Sequence, residues 1–352
     1  RALENKITLA LTHFSSVTIT GPRQSGKTTL CRKLFPHLPY VNFEDINTLK
    51  NAYDDMVSFV NSFPDGAIFD EVQKLPEILS ALQVLIDEDI FQGNKSRKFI
   101  ITGSSDLALM ESVSQSMSGR TAVFKLLPLS LNELNDRIKE VSTDTLILNG
   151  GYPAVWSAPQ LRQIILSGYY NTYIERDIKR LINIKDMIAF NKFIRLCAGR
   201  IGTEFNASAL SNEVGVSVTT MLNWLSILAA SYIIYLLPPF SGNLKKRIIK
   251  TPKIYFYDTA LASFLLDINE ETILKTHPLR GALFENIVIN EMMKHSFNLG
   301  EEPGLYFYRD QSQREVDVVN VKAQGVELYE IKSSMSYNTD YFKNLKYLTG
   351  LM

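Results

Sequence analysis

Short apolar runs alternate along this chain with stretches of helical period. Val17-Thr18-Ile19-Thr20, Tyr40-Val41-Asn42-Phe43, Ala67-Ile68-Phe69-Asp70-Glu71, Lys98-Phe99-Ile100-Ile101-Thr102 and Thr121 to Leu126 predict five strands. Between them lie segments that predict helices: residues 1–16, with Leu3, Ile7, Leu11 and Phe14 on one face, then 46–63, 77–90 and a stretch ending near Gly119. Five short runs separated by helices predict a parallel, doubly wound α/β sheet, assigned to a first domain over residues 1–150.

Pro128 and Gly150-Gly151-Tyr152-Pro153 punctuate the end of that domain. The pattern is then helical from Leu161 to about Gly199, with Leu161, Ile164, Ile165 and Leu166 spaced for one face. Ala207 to Ser217 predicts a helix, a tight turn at Gly215 and the cap of a second helix running to Ile227, which is helix-turn-helix spacing. Tyr232–Leu237 and Ile248–Tyr257 predict the two strands of a wing, so residues 151–267 are assigned to a helical linker and winged-helix domain. Residues 268–352 form a third domain, with a helix carrying Leu283, Phe284, Ile287, Val288 and Met292 followed by short strands.

Composition adds bounds. At 352 residues, 45% hydrophobic and 21% charged, the chain is globular and long enough for two or three domains. Its two cysteines, Cys31 and Cys197, and four scattered histidines point to a reducing compartment and to no zinc site. The longest apolar run, Leu225–Leu237, is interrupted by Ser226 and Ser231 and is too short to span a bilayer; with no signal peptide visible, a cytoplasmic location without a membrane partner is expected. The net charge of zero hides an asymmetry: residues 160–257 carry a surplus of eight positive charges, while the residues on both sides are mildly acidic. A polyanion partner is therefore sought in the middle third.

The chemistry starts at Gly21-Pro22-Arg23-Gln24-Ser25-Gly26-Lys27-Thr28, followed by Thr29. Placed between a strand and a helix, this spacing is that of a phosphate-binding loop. Successive backbone N–H groups make an anion nest, and the helix dipole points to the same place. Lys27 is suited to the β/γ-phosphate oxygens of ATP, and the Thr28 hydroxyl to Mg2+. Asp70 and Glu71 end a buried strand 43 residues after Lys27. Asp70 then serves the Mg2+ shell, and Glu71 orients and deprotonates the attacking water. Ser104, at the tip of the next strand, fits a γ-phosphate or water contact as well as it fits the neighbourhood of a helix N-cap. Arg120, just before the fifth strand, has the chemistry of a transition-state arginine acting across a subunit boundary, which would make the protein a homo-oligomer.

Gly21–Thr29, Asp70-Glu71-Val72-Gln73-Lys74, Ile101–Ser105 and Ser118-Gly119-Arg120 resemble the AAA-type ATPase domain of a large prokaryotic family whose C-terminal domain is DUF4143. Gly150–Pro153, Tyr255-Phe256-Tyr257-Asp258-Thr259 and Gly281–Asn286 resemble the same family, so the likeness covers nearly the whole chain. It implies a P-loop ATPase with an additional strand in its sheet, and hands over no biological role.

In the last domain, Asp317 followed by Glu330-x-Lys332 resembles the core of the PD-(D/E)xK nucleases. That resemblance implies Asp317 and Glu330 sharing Mg2+, Glu285 assisting from its helix and Lys332 activating water. The same residue types on amphipathic strands also suit an inert docking module. In the middle domain the second helix carries no Lys or Arg, so base reading is not expected there. The wing residues Lys245, Lys246 and Arg247, with Lys250 and Lys253, suit phosphate contact without sequence preference. Two functions follow: an ATPase that couples hydrolysis to DNA binding or remodelling, with a nuclease-like end, or a nucleotide-gated oligomeric switch acting on a protein.

Overall fold

The computed structural model describes residues 1–352 except 95, 105–112, 114, 179–185, 242–249, 335 and 337. The chain divides into two units. The first holds Arg1–Leu129 together with Ala230–Tyr232 and Phe297–Glu301, and the second holds Ser130–Ala229, Ile233–Ser296 and Glu302–Met352.

The first unit is built on β1 (Ser16–Thr20), β2 (Tyr40–Asn42), β3 (Gly66–Asp70), β4 (Lys98–Thr102) and β5 (Thr121–Lys125). They form one parallel sheet in the order β2-β3-β4-β1-β5, with β4 inserted between β3 and β1. Every residue of β1 and β3 is buried, as a sheet covered by helices on both faces requires. The period of two divides the apolar residues between those faces. Ala67, Phe69, Phe99 and Ile101 join a core with Phe43, Leu79, Leu82 and Ile86. Val17, Ile19, Ile68 and Ile100 face a second core with Ile7, Leu30 and Phe124.

The expected helix over 46–63 is two helices, Ile46–Asp54 and Met56–Asn61. Asp55 between them is extended (φ −154°), and its carboxylate accepts the Ser58 N–H at 3.0 Å. Aspartate competes for backbone donors in this way, which favours it at a cap over a helix interior. The two short segments from late in the sequence also pack into this unit. The Tyr232 hydroxyl meets Thr20 Oγ1 at 3.0 Å, and Lys125 Nζ lies 5.3 Å from the centre of the Phe297 ring.

In the second unit, helices Ala207–Val214 and Val218–Ala230 flank Gly215 and meet at 105°, within the range of a helix-turn-helix. Two antiparallel strands follow, β6 (Ile234–Leu237) and β7 (Lys253–Phe256). The Arg280–Asn298 helix runs beside β7, where Asn286 exchanges two hydrogen bonds with the Phe256 backbone and Asn290 donates to the Phe256 and Tyr257 carbonyls. Two buried asparagines thus satisfy backbone groups that the ladder leaves open. An antiparallel sheet closes the unit, with β8 (Leu305–Arg309), β9 (Glu315–Lys322) and β10 (Gly325–Tyr329) in the order β10-β9-β8. By compactness the first unit ends at Leu129, and the residues assigned from sequence to the second and third domains pack together in the second unit. The asparagine contacts, which join residues on both sides of the expected boundary at 267/268, are one physical reason.

Asp258 ties two of the sequence motifs together. It is buried, caps the Thr259–Leu265 helix by accepting the Ala260 N–H, and accepts the Gly151 N–H at 2.8 Å. Gly150 has φ +57°, and a Cβ there would lie 2.0 Å from Asp258 Oδ1, so glycine is required both by conformation and by room. Burial raises the Asp258 carboxyl to about 6, against the opposing pull of Lys294 and the backbone donors; Tyr152 is the neighbouring titratable group on the glycine motif. A carboxyl raised on folding contributes stability that is complete below about pH 4 and is lost as pH rises through about 6. Denaturant unfolding from pH 4 to 7 should show this fall in the parent and a flatter profile in Asp258→Asn. Parallel profiles for the two proteins would rule out Asp258 as the source.

Candidate nucleotide site and a second charged cluster

The phosphate-binding loop leaves β1 and ends on the Lys27–Leu34 helix. Its shape depends on residues in the left-handed region: Gln24 at φ +60° and Gly26 at +94°. Gly21, at φ +143°, lies so close to β5 that a Cβ would stand 2.2 Å from the Leu126 carbonyl oxygen. Pro22 and Ser25 are buried, Arg23 pairs with Glu44 at 3.2 Å, and Gln24 and Thr29 are exposed. Lys27 is buried and donates to the loop's own carbonyls, Gly21 at 2.9 Å and Pro22 at 2.8 Å. Burial brings its ammonium down to about 8, although Glu71 and Asp70 favour the charged form.

Asp70, at the end of β3, accepts hydroxyls from three other elements. Thr28 donates to Oδ2 at 2.8 Å, Tyr40 of β2 donates to the same oxygen at 2.7 Å, and Thr102 of β4 donates to Oδ1. Glu71 has φ +58°, an uncommon conformation for a residue with a side chain. Its carboxylate accepts from the Gln73 amide and from the Ser104 hydroxyl at 3.2 Å; the same Gln73 nitrogen reaches Ser104 at 3.1 Å. Lys27, Thr28, Asp70, Glu71 and Ser104 are therefore drawn together at one end of the parallel sheet. Tyr40, Thr102 and Gln73 are the contributors not singled out from sequence. The signal available for Tyr40 was a hydroxyl at the start of a short predicted strand.

The site fits a nucleotide polyphosphate with Mg2+. Ser25 Oγ is fully buried without a hydrogen-bond partner, a donor group rarely left idle in a native interior. The Thr28 hydroxyl and Asp70 carboxylate are adjacent oxygen donors of the kind Mg2+ takes. Arg120 stands apart from this cluster in its pairing. Its guanidinium grips Asp87 with two bonds, at 2.5 and 2.8 Å, and donates to the Ser118 carbonyl. Asp87 is held below the usual carboxylate range by that pair.

The nuclease-like residues also meet, within the second unit. Lys332 Nζ lies 2.6 Å from Glu330 Oε1 and 3.4 Å from Asp317 Oδ2, and the Ile331 N–H donates to Asp317 at 2.6 Å. Glu285 is paired differently. Lys253 Nζ lies 3.3 Å from it and 2.5 Å from Glu315, and the Tyr255 hydroxyl donates to Glu285. Lys253 is 2% exposed, so it does not present a charge to a polyanion as expected from sequence. It begins a strand of otherwise apolar and aromatic residues, and alternation turns it inward with Tyr255. Lys250 is exposed, whereas Lys245, Lys246 and Arg247 lie outside the described residues. Among the described residues, no three His, Cys, Asp or Glu side chains are grouped as metal ligands, and no single helix is long and apolar enough to cross a membrane.

Comparison with known proteins divides the chain into three parts. The AAA domain family matches residues 13–135, a domain of unknown function (DUF8612) matches 141–272, and a second domain of unknown function (DUF4143) matches 280–351. An uncharacterized protein of Mycobacterium tuberculosis is 28% identical over 312 residues, covering 88% of this chain and 68% of its own length. One from Haemophilus influenzae is 24% identical over 381 residues, covering 98% of this chain and 89% of its own. Among solved structures, a Walker-type ATPase of Pyrococcus abyssi is similar with a TM-score of 0.49 and 13% identity, covering 75% of this chain and 94% of that one. With its P-loop parallel sheet under the AAA match and its closing sheet under the DUF4143 match, the chain has the architecture of the prokaryotic AAA–DUF4143 family.

Proposed function

We propose that the first unit binds Mg-ATP and hydrolyses it. The observation that carries this reading is the convergence of Lys27, Thr28, Asp70 and Glu71 on one end of a P-loop sheet, with Thr28 bonded to Asp70. The loop N–H groups and Lys27 bind the β- and γ-phosphates. Thr28 and Asp70 would hold Mg2+, which when bound would supply charge neutralisation at the phosphate oxygens. Glu71 takes the proton of the attacking water. Ser104 and Gln73 hold that carboxylate in place, and the left-handed backbone aims it. Arg120 acts in a homo-oligomer only after giving up Asp87, so that ion pair restrains it within its own subunit.

The second half of the reading couples this cycle to DNA, without sequence preference. Its support is the positive surplus of residues 160–257 and the character of the Val218–Ala230 helix. That helix buries Met221, Trp224, Leu225 and Leu228 and exposes only uncharged residues. Base reading is therefore assigned no part, and phosphate contact falls to Lys245, Lys246, Arg247 and exposed Lys250.

Lys27→Ala should abolish ATP binding measured by calorimetry. Glu71→Gln should bind ATP as the parent does while kcat falls by about 10²–10⁴-fold, the usual worth of a general base; undiminished turnover would remove Glu71 from that role. Arg120→Ala separates the two roles of the arginine. An arginine acting on the transition state should leave ATP affinity intact and lower kcat by about 10³-fold or more, whereas one that only pairs with Asp87 should lower the melting temperature and spare kcat. ATP hydrolysis measured with and without duplex, single-stranded and branched DNA should be stimulated at low salt. That stimulation should weaken at moderate salt and when Lys245, Lys246 and Arg247 are all changed to Glu. Hydrolysis indifferent to every DNA would transfer the reading to a nucleotide-gated switch with a protein partner.

A further inference from the structure

We propose that Lys253 is the built-in counter-cation of the C-terminal carboxylate cluster, neutralising Glu285 and Glu315 beside the Asp317 and Glu330 pair to which the nuclease resemblance gives Mg2+, so that this site does not perform metal-dependent DNA cleavage. The inference is independent of the ATPase reading, because every residue it uses lies in the second unit.

Four carboxylates, Glu285, Glu315, Asp317 and Glu330, are held as two lysine-bridged pairs, and among the described residues no three of them are gathered as metal ligands. Glu285 comes from the Arg280–Asn298 helix, and Glu315 and Asp317 lie two apart on β9. Two ammonium groups are distributed among them. Lys332 serves Asp317 and Glu330, which is the pairing that the Glu-x-Lys motif allows. Lys253 comes from β7 and has no counterpart in the motif. It serves Glu285 and Glu315, with the Phe307 ring centre 5.4 Å from its nitrogen. Tyr255, on the same face of β7, adds its hydroxyl to Glu285.

A divalent ion and this ammonium cannot share the cluster. Mg2+ demands near-octahedral oxygen ligands close to the metal, and an ammonium already within hydrogen-bond reach of two of the carboxylates would repel it. Lys253 has little freedom to yield: it is 2% exposed and crosses between three elements. Burial alone disfavours its charge, but Glu285 and Glu315 outweigh burial and hold it firmly protonated. Glu285, raised by burial and by Asp317, is returned toward its charged form by Lys253. The ammonium thus does for these acids what a bound cation does in a metal site, and it joins β7, the Arg280–Asn298 helix and β9.

Mn2+ binding to the full chain tests this, followed by electron paramagnetic resonance of the free ion. Asp70→Asn is included throughout so that the nucleotide site contributes no signal. The Lys253-containing protein should bind no Mn2+ up to millimolar concentration and should leave supercoiled plasmid intact. Lys253→Met, similar in length and uncharged, should gain about one equivalent of Mn2+, lost again on adding Asp317→Asn. One equivalent bound by the Lys253-containing protein and removed by Asp317→Asn would overturn the proposal, as would plasmid cleavage that Asp317→Asn abolishes. A folded Lys253→Met variant that gains no Mn2+ would overturn it too. Should that variant fail to fold, the Lys253-containing protein alone still decides, since a metal-dependent site must show Mn2+ there.

Discussion

The first unit depends on the carboxylate of Asp70 and the three hydroxyls that reach it. Thr28 comes from the helix after β1, Tyr40 from β2 and Thr102 from β4, so the contact exists only if all three strands take their places around β3. Parallel pairing of Asn42 with Asp70 on one side and of Ile68 with Ile100 on the other brings the strand ends level. Hydrogen bonds to a buried charge each contribute about 1.5–3 kcal/mol, and Asp70 is 3% exposed. The order β2-β3-β4-β1 is thereby written into one side chain's coordination. A sheet in which β4 lay elsewhere would leave that charge short of a donor.

Glu71 shows how two adjacent acids come to do different work. On a regular strand, neighbouring side chains point to opposite faces, and Glu71 would be sent away from the end of the sheet. The strand stops at Asp70, and Glu71 enters the left-handed region as the cap of the short Val72–Lys74 turn. That turn returns Gln73 to the Glu71 carboxylate and to Ser104. A non-glycine residue held in that conformation costs on the order of 1 kcal/mol or more, as is common where geometry serves chemistry.

Much of this was legible beforehand because it is local or periodic. The five strands, the glycine loop and the paired acids each follow from a few neighbouring residues, and the split of Phe69 and Ile68 to opposite cores follows from a period of two. Most of what escaped was set by partners distant in sequence, the short-range cap at Asp55 being the exception. Tyr40 is a strand residue until β3 takes its place beside β2. Asp55 interrupts a helical pattern because a cap for Ser58 offers more than another helical turn. The contacts by which Asn286 and Asn290 spend their amides on the Phe256 and Tyr257 backbone join residues on either side of position 267, and no periodicity announces them.

Charge was the least readable property, for the same reason. Counting Lys and Arg between residues 160 and 257 gives a surplus of eight, but a count does not distinguish a cation offered to solvent from one already committed. Lys253 is committed to Glu285 and Glu315, Arg195 to Asp267 at 2.9 Å, and Arg200 to Glu213. Two of these three draw their acid from outside that stretch, so part of its apparent surplus is balanced internally. A salt-dependent attraction to phosphate scales with the cations that are free to displace counter-ions. The basic run from Lys245 to Lys250 must therefore supply more of any such attraction than its share of the total charge suggests. Lys253, three residues further along, contributes to the fold instead.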